Sequence, residues 1–302
     1  MSILAKAVLG VLPHVPKPLM RVFARNYIAG ETQPEALEKI SELGRAGHPG
    51  ILDILGEDVF APAEAQAVVD QYAAGAAELA RLRLDGYVSV KPTHVGLRIS
   101  QAFALEQYSR LAAKLEPLGI FLRVEMEDAS TTDATLAIFS ALRERYSNVG
   151  IVLQARLFRT PADIRALPKG PISVRLVKGI YLEPAAIAHT EAEPIREAFV
   201  DCAKLLIERG DKLCLGTHDE FLAERVLPLV AAAKYGKDRY EFQVLLGVRR
   251  ELWALWRGQG HTVRVYVPYG PEWKPYSLRR MRKNPQIFWH VVRSSLGMRP
   301  SA

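Results

Sequence analysis

The chain has 302 residues, 49% of them hydrophobic and 24% charged, an ordinary globular composition long enough for one large core or two small ones. Intrinsic disorder and collagen-like repeats are excluded, and no uninterrupted apolar run reaches the ~18 residues a spanning helix needs. The net charge of +7, from 40 Lys and Arg against 33 Asp and Glu, suits an anionic substrate, a phosphate-bearing cofactor, an acidic membrane surface or nucleic acid.

That charge is concentrated at the two ends. Residues 1–30 carry Lys6, Lys17, Arg21 and Arg25 with no acid, and residues 273–302 carry seven bases with no acid. Ile3–Leu12 is interrupted by Lys6 and followed by Pro13 and Pro16, not by a cleavage site, so it reads as an amphipathic helix within a helical extension over residues 1–45. The two cysteines, Cys202 and Cys214, have neither metal-ligand nor redox-motif spacing, which points to a reduced, cytoplasmic setting.

From there on, short apolar or β-branched runs recur, each closed by a polar or Gly-containing turn. They are Ile51–Leu55, Tyr87–Val90, Phe121–Val124, Ile151–Leu153, Ile172–Val177, Leu213–Leu215, Phe242–Leu246 and Val263–Val267. Between them Ala63–Arg83, Ala102–Leu115, Thr132–Tyr146, Glu191–Arg209 and Phe221–Lys234 have helical apolar spacing, with a shorter helix at Pro161–Leu167. Eight strands alternating with helices predict an α/β fold, a (βα)8 TIM-type barrel over residues 46–302. An open doubly wound sheet is the alternative, and no Gly-x-Gly-x-x-Gly turn supports it.

In a barrel the chemistry gathers where the C-terminal ends of the strands converge. Glu57, Lys91, Glu125, Gln154, Lys178, Thr217 and Tyr269 come after successive runs, and Arg175, Gln243 and Tyr266 lie within them. Taken singly, most read as solvent-facing strand ends, or as helix caps such as Thr217 or Asp219. Arg175 differs, because it alternates with apolar neighbours inside a strand, where a cation needs a partner or a ligand. Lys91 ends a strand of similar alternation and should point its ammonium into the mouth. Lys178 is compatible with a Schiff-base amine or with a phosphate-contacting or structural role. Pro92 removes a backbone donor from the end of its strand. The seven histidines form no metal-binding pattern, so no metal site is expected.

The segments Arg175-Leu-Val-Lys-Gly-Ile-Tyr-Leu-Glu183, Val152-Leu-Gln154, Thr217-His-Asp219, Tyr240-Glu-Phe-Gln243 and Val263-Arg-Val-Tyr-Val-Pro-Tyr-Gly270, with Tyr276-Ser-Leu-Arg-Arg280 after them, resemble the FAD-dependent proline dehydrogenases of monofunctional bacterial type. The resemblance runs in order from about Gly50 to the C-terminus. It implies a distorted barrel with non-covalent FAD at its mouth, hydride transfer from L-proline or a close cyclic amino acid to the flavin N5, and a quinone at the membrane as the onward acceptor.

By the same resemblance, Lys91, Arg279 and Arg280 hold the substrate carboxylate, for which paired guanidinium groups are suited. Tyr266 and Tyr276 wall the substrate ring, and Glu125 and Arg175 are the catalytic pair, Arg175 beside N5. Met126, Gln154, Lys178, Gly179, Ile180, Thr217 and His218 contact the cofactor, and Glu57 pairs with Arg279 as a gate. Two residues depart from the family pattern: Glu125 stands where an aspartate is usual, and Lys283 where a glutamate is usual. They motivate the alternative of a degenerate flavin- or ligand-binding relative with a different amino acid or a regulatory role.

A C-terminal helix over Tyr276–Leu296, capping the mouth, is expected from the spacing of Ile287, Phe288, Val291 and Val292. Its basic face and Trp289 suit a peripheral contact with the inner face of the membrane. Nucleic acid is not expected, since no recognition motif accompanies the charge.

Overall fold

The computed structural model describes residues 24, 26–274, 276 and 277. The alternating runs form β1 (Gly50–Ile54), β2 (Gly86–Val90), β3 (Leu122–Val124), β4 (Val149–Gln154), β5 (Ser173–Val177), β6 (Lys212–Gly216), β7 (Tyr240–Leu245) and β8 (Val263–Tyr269). All eight pair in parallel in chain order. β8 returns to β1, with Gly50 opposite Val265 and Ile54 opposite Tyr269, so the sheet closes and the open-sheet alternative is excluded.

The helices are α1 (Gln33–Arg45), α2 (Pro62–Arg81), α3 (Gln101–Leu115), α4 (Thr132–Arg143), α5 (Thr160–Ala166), α6 (Ala192–Arg209), α7 (Glu220–Ala232) and α8 (Arg250–Gly258). α1 precedes the first strand and packs against β1 and β8, so the outer layer is continued across the seam where the barrel closes. The α8 helix was not among the elements expected from apolar spacing. It is only nine residues long, yet it buries Leu252, Trp253 and Trp256, the last stacked on Phe242 at 4.1 Å. The expected C-terminal helix beyond Ser277 and the Ile3–Leu12 helix lie outside the described residues.

Pro92 does not weaken the end of its strand. It opens a 3-10 turn, Pro92–Val95, at a position where a missing N–H goes unnoticed, and its carbonyl accepts from Leu97 N (2.9 Å). Gly96, at φ +97°, closes that turn with a conformation costly for any residue with a Cβ.

Period-two alternation divides each strand between two environments. Leu52, Val88, Val90, Leu122, Val124 and Leu215 point outward into the hydrophobic core shared with the helices. The alternate positions point inward and are largely polar. Arg123 on β3 reaches Cys214 Sγ on β6 (3.5 Å), and Arg175 on β5 reaches the Tyr87 hydroxyl on β2 (3.2 Å), contacts possible only through the barrel interior.

Arg123 is 1% exposed. Its guanidinium donates to Ile151 O (3.1 Å), to Ser173 O and to Ser173 Oγ (2.8 Å), and lies 4.8 Å from the Phe121 ring centroid. Neutral acceptors and an aromatic face thus offset part of the desolvation of that charge. The apolar core therefore holds the barrel together from outside, and the inside is free to carry charge.

Candidate active site

The polar interior rises to a cluster at the C-terminal end. Arg175, 5% exposed, has five N–H donors to satisfy. Nε donates to Gln243 Oε1 (2.5 Å), Nη1 to Glu125 Oε1 (2.6 Å) and Nη2 to the Tyr87 hydroxyl. Two N–H groups remain among the described residues, and the Tyr266 ring lies 5.2 Å from Cζ. Burial opposes the guanidinium charge, but Glu125, Tyr87 and Tyr266 outweigh it and hold Arg175 protonated.

Glu125 directly follows β3, its amide on Val90 O (2.9 Å), and its carboxylate also accepts from Ser89 Oγ. Burial pushes its pKa up, while Arg175, Ser89 and Lys91 bring it below the ordinary carboxylate value. The longer glutamate side chain therefore reaches two partners at once.

Lys91 directly follows β2, and its ammonium is drawn to Asp53 Oδ1 on β1 (3.3 Å), with Asp53 itself 1% exposed. Burial opposes the Lys91 charge, yet Asp53, Glu125 and Glu127 raise its pKa to about 12. Burial also raises the Asp53 carboxyl, with Glu125 adding to the effect and Lys91 and a Tyr266 hydrogen bond opposing it. The cluster joins five strands: Asp53 from β1, Ser89 and Tyr87 from β2, Arg175 from β5, Gln243 from β7 and Tyr266 from β8.

Asp53, Tyr87 and Ser89 were absent from the site expected from sequence. Asp53 carries the same signal as Arg175, a charge inside an apolar run, one residue before the end of β1.

The loops above are stitched together. Glu127 accepts from Thr93 N (2.9 Å) and Thr93 Oγ1 (2.7 Å), and Asp58 N donates to Thr93 Oγ1 (3.0 Å). Asp58 sits at φ +57°, so the loop bearing the half-buried Glu57 is fixed from its next residue. Arg279 and Arg280 lie outside the described residues, and with them the Glu57–Arg279 pair and Lys283. Tyr276 follows β8 by seven residues, its amide 3.5 Å from Glu272 O.

On the other side of the mouth, Gln154 ends β4, 2% exposed, with Nε2 on Glu127 O (2.7 Å) and Oε1 without a partner among the described residues. Gly179, at φ +103°, lies beside it. An added Cβ there would come within 2.6 Å of Arg156 Cδ and 3.0 Å of Gln154 Oε1. Arg156 clamps the same loop through His189 O (3.2 Å) and Tyr181 O.

Lys178 is 42% exposed and paired with Asp219 Oδ2 (2.9 Å), which Arg196 also binds. A solvated, ion-paired ammonium is unlike a Schiff-base nucleophile, which desolvation would activate. Asp219 therefore spends its carboxylate on cations and makes no cap bond to α7, while Thr217 Oγ1 accepts the Asp219 amide (3.1 Å). His218 Nε2 accepts from Leu245 N (3.0 Å), Met126 is buried, and Ile180 is exposed. Among the described residues no group of His, Cys, Asp or Glu could hold a metal, and no helix is long and apolar enough to cross a membrane.

Residues 36–287 match the family model described as proline dehydrogenase. The chain belongs to the proline dehydrogenase family. It is 33% identical to a protein of Deinococcus radiodurans named proline dehydrogenase, over 90% of each chain. It is also 31% identical to proline dehydrogenase 1 of Bacillus subtilis subsp. natto, over 91% of each. Among solved structures it resembles proline utilization A from Bdellovibrio bacteriovorus inactivated by N-propargylglycine, at a TM-score of 0.78 and 25% identity. That match covers 87% of this chain and 32% of the larger one.

Proline dehydrogenases as a family use flavin, and the residues present fit such a group. The buried Gln154 Oε1, without a partner among the described residues, can accept from a ring N–H, and Gly179 beside it holds a left-handed turn in which a Cβ would press on Arg156 and on that same oxygen. Replacing Gly179 with Ala should strain this loop by about 1–3 kcal/mol and push on Arg156 and Gln154, and so weaken the retention of FAD beside them. The FAD-to-protein ratio after dialysis measures it, and parental retention would remove Gly179 from the cradle.

Proposed function

We propose that this proline dehydrogenase oxidises L-proline to Δ1-pyrroline-5-carboxylate in a single-domain barrel of residues 46–302 behind the extension of residues 1–45, with FAD as acceptor and a membrane quinone as electron sink. The observation that carries this reading is the buried Arg175 guanidinium at the C-terminal end of the barrel, with two N–H groups not taken up by described protein groups. When bound, FAD supplies the hydride acceptor at N5.

The residues divide the remaining work. Arg175 places fixed positive charge where the flavin becomes electron-rich, and Glu125 holds that guanidinium by its Nη1 edge. Lys91, with Arg279 and Arg280, binds the substrate carboxylate. Tyr266 and Tyr276 bound the ring, and Glu57 closes on Arg279 once substrate is in place. Met126, Gln154, Lys178, Gly179, Ile180, Thr217 and His218 line the cofactor. The simultaneous contacts of Glu125 with Ser89 and Arg175 support catalysis over a degenerate ligand-binding relative. The enzyme is placed in the cytoplasm, with its basic ends touching the inner face of the membrane.

The test is direct. Purified protein should show flavin absorption that bleaches on anaerobic addition of L-proline. A flavin that stays oxidised with both proline and hydroxyproline would sink the substrate assignment. A colourless protein that FAD cannot reconstitute would sink the cofactor assignment too.

A further inference from the structure

Arg175 is held on three sides, and one of those holders has its own support beneath it. Gln243 on β7 is 5% exposed. Its Oε1 accepts from Arg175 Nε (2.5 Å), while its Nε2 donates to Glu241 Oε1 (2.5 Å) and to the Tyr87 hydroxyl (2.8 Å). The chemistry of the neighbours fixes which way the amide points. An arginine Nε–H only donates and an ionised carboxylate only accepts, so one of the two amide orientations satisfies both and the other satisfies neither.

Glu241 is in turn kept ionised by Arg264 Nε (2.9 Å) and Lys212 Nζ (3.4 Å), which bring charge from the opposite, N-terminal end of the barrel. Tyr87 closes a small ring of contacts, since its hydroxyl also receives Arg175 Nη2 (3.2 Å).

Glu125 and the Tyr87 hydroxyl hold the two Nη groups at the far end of the guanidinium, and Gln243 is the partner of Nε. Fixing Nε as well defines the plane. We propose that Gln243, oriented from below by Glu241, is a positioning residue that sets the plane of the Arg175 guanidinium and so aims its two remaining N–H groups at the bound flavin. This rests on the flavin reading of Arg175, and the experiment separates the two.

Sulfite adds through its sulfur lone pair to the flavin N5 and leaves an anionic adduct, so its affinity reports positive charge aligned there without proline or turnover. The FAD-loaded full-length chain is titrated with sulfite, following the loss of visible absorbance. The parent is compared with Gln243→Met, Tyr87→Phe and Arg175→Met. Gln243→Met should weaken sulfite about tenfold, the size expected when one hydrogen bond to a charged group is lost. Tyr87→Phe should move it less in the same direction, and Arg175→Met should move it most.

If Gln243→Met folds, holds FAD and binds sulfite like the parent while Arg175→Met does not, Gln243 is merely structural and the proposal is overturned. If Arg175→Met also binds sulfite like the parent, the flavin reading of Arg175 falls, and the positioning role with it. Should Gln243→Met fail to fold, Glu241→Gln decides, because it keeps the volume and removes the ionised acceptor that orients the Gln243 amide. Parental sulfite affinity in that variant overturns the proposal.

Discussion

Arg175→Met is expected to lower turnover of L-proline about 10²–10³-fold, the range found when one preorganised electrostatic group is removed from a reacting centre. The same substitution should also reverse a pH dependence of stability. In the parent, the folded-state pKa of Glu125 lies below its ordinary value, so its contribution to stability is present above the unfolded pKa and is lost as pH falls. Without Arg175 only Ser89 and Lys91 are left to oppose burial, and the carboxyl is expected to rise above its ordinary value. Stability is then greatest at low pH and declines as pH rises through the unfolded pKa, because the unfolded chain releases a proton that the buried, poorly paired carboxyl in the fold retains. Removing one partner of a buried pair costs about 3–5 kcal/mol when the other stays charged. Thermal unfolding of both proteins at pH 5 and pH 8 measures this, with the larger gap expected at pH 8. A gap independent of pH would show that Glu125 does not depend on Arg175.

Arg175 was legible in the sequence because a cation alternating with valine and leucine in a strand has to be explained. Its partners were not legible from their neighbours. Gln243 and Tyr87 lie 156 residues apart in the chain and meet only because β2 and β7 face each other across the closed barrel. No local pattern encodes that meeting. The fold was easier to read, since strand periodicity and helical spacing are local properties, and all eight strands fell where the alternation placed them. α8 escaped because nine residues ending in glycine give the helical period little room to repeat, even with Leu252, Trp253 and Trp256 on one face. Lys91 was read as aimed at the mouth, and the pull of Asp53 toward the barrel wall could not be seen without the β1–β2 pairing. Arg123 and Asp53 carry the same signal as Arg175, a charge within an apolar strand, and a sequence does not show which of these charges meet inside the closed barrel.

The Lys91–Asp53 pair sets up the second large effect. Lys91→Met should raise the KM for proline about tenfold to a hundredfold, the loss of one charge-assisted hydrogen bond to the carboxylate. It should also destabilise the fold, because Asp53 is left at 1% exposure with its ammonium partner gone. Binding and stability can be separated by adding Asp53→Asn. In the double variant the buried acid is gone, so much of the lost stability should return, with a coupling energy of about 0.5–3 kcal/mol in the thermodynamic cycle. The KM should stay high, since no cation has been restored for the substrate. Asp53→Asn alone should leave Lys91 charged, because Glu125 and Glu127 still face it. Its KM should then shift less than that of Lys91→Met. If the double variant recovers both stability and KM, Lys91 serves the barrel and not the substrate. If the cycle shows no coupling, the 3.3 Å pair is idle and the ammonium is held by the other two acids.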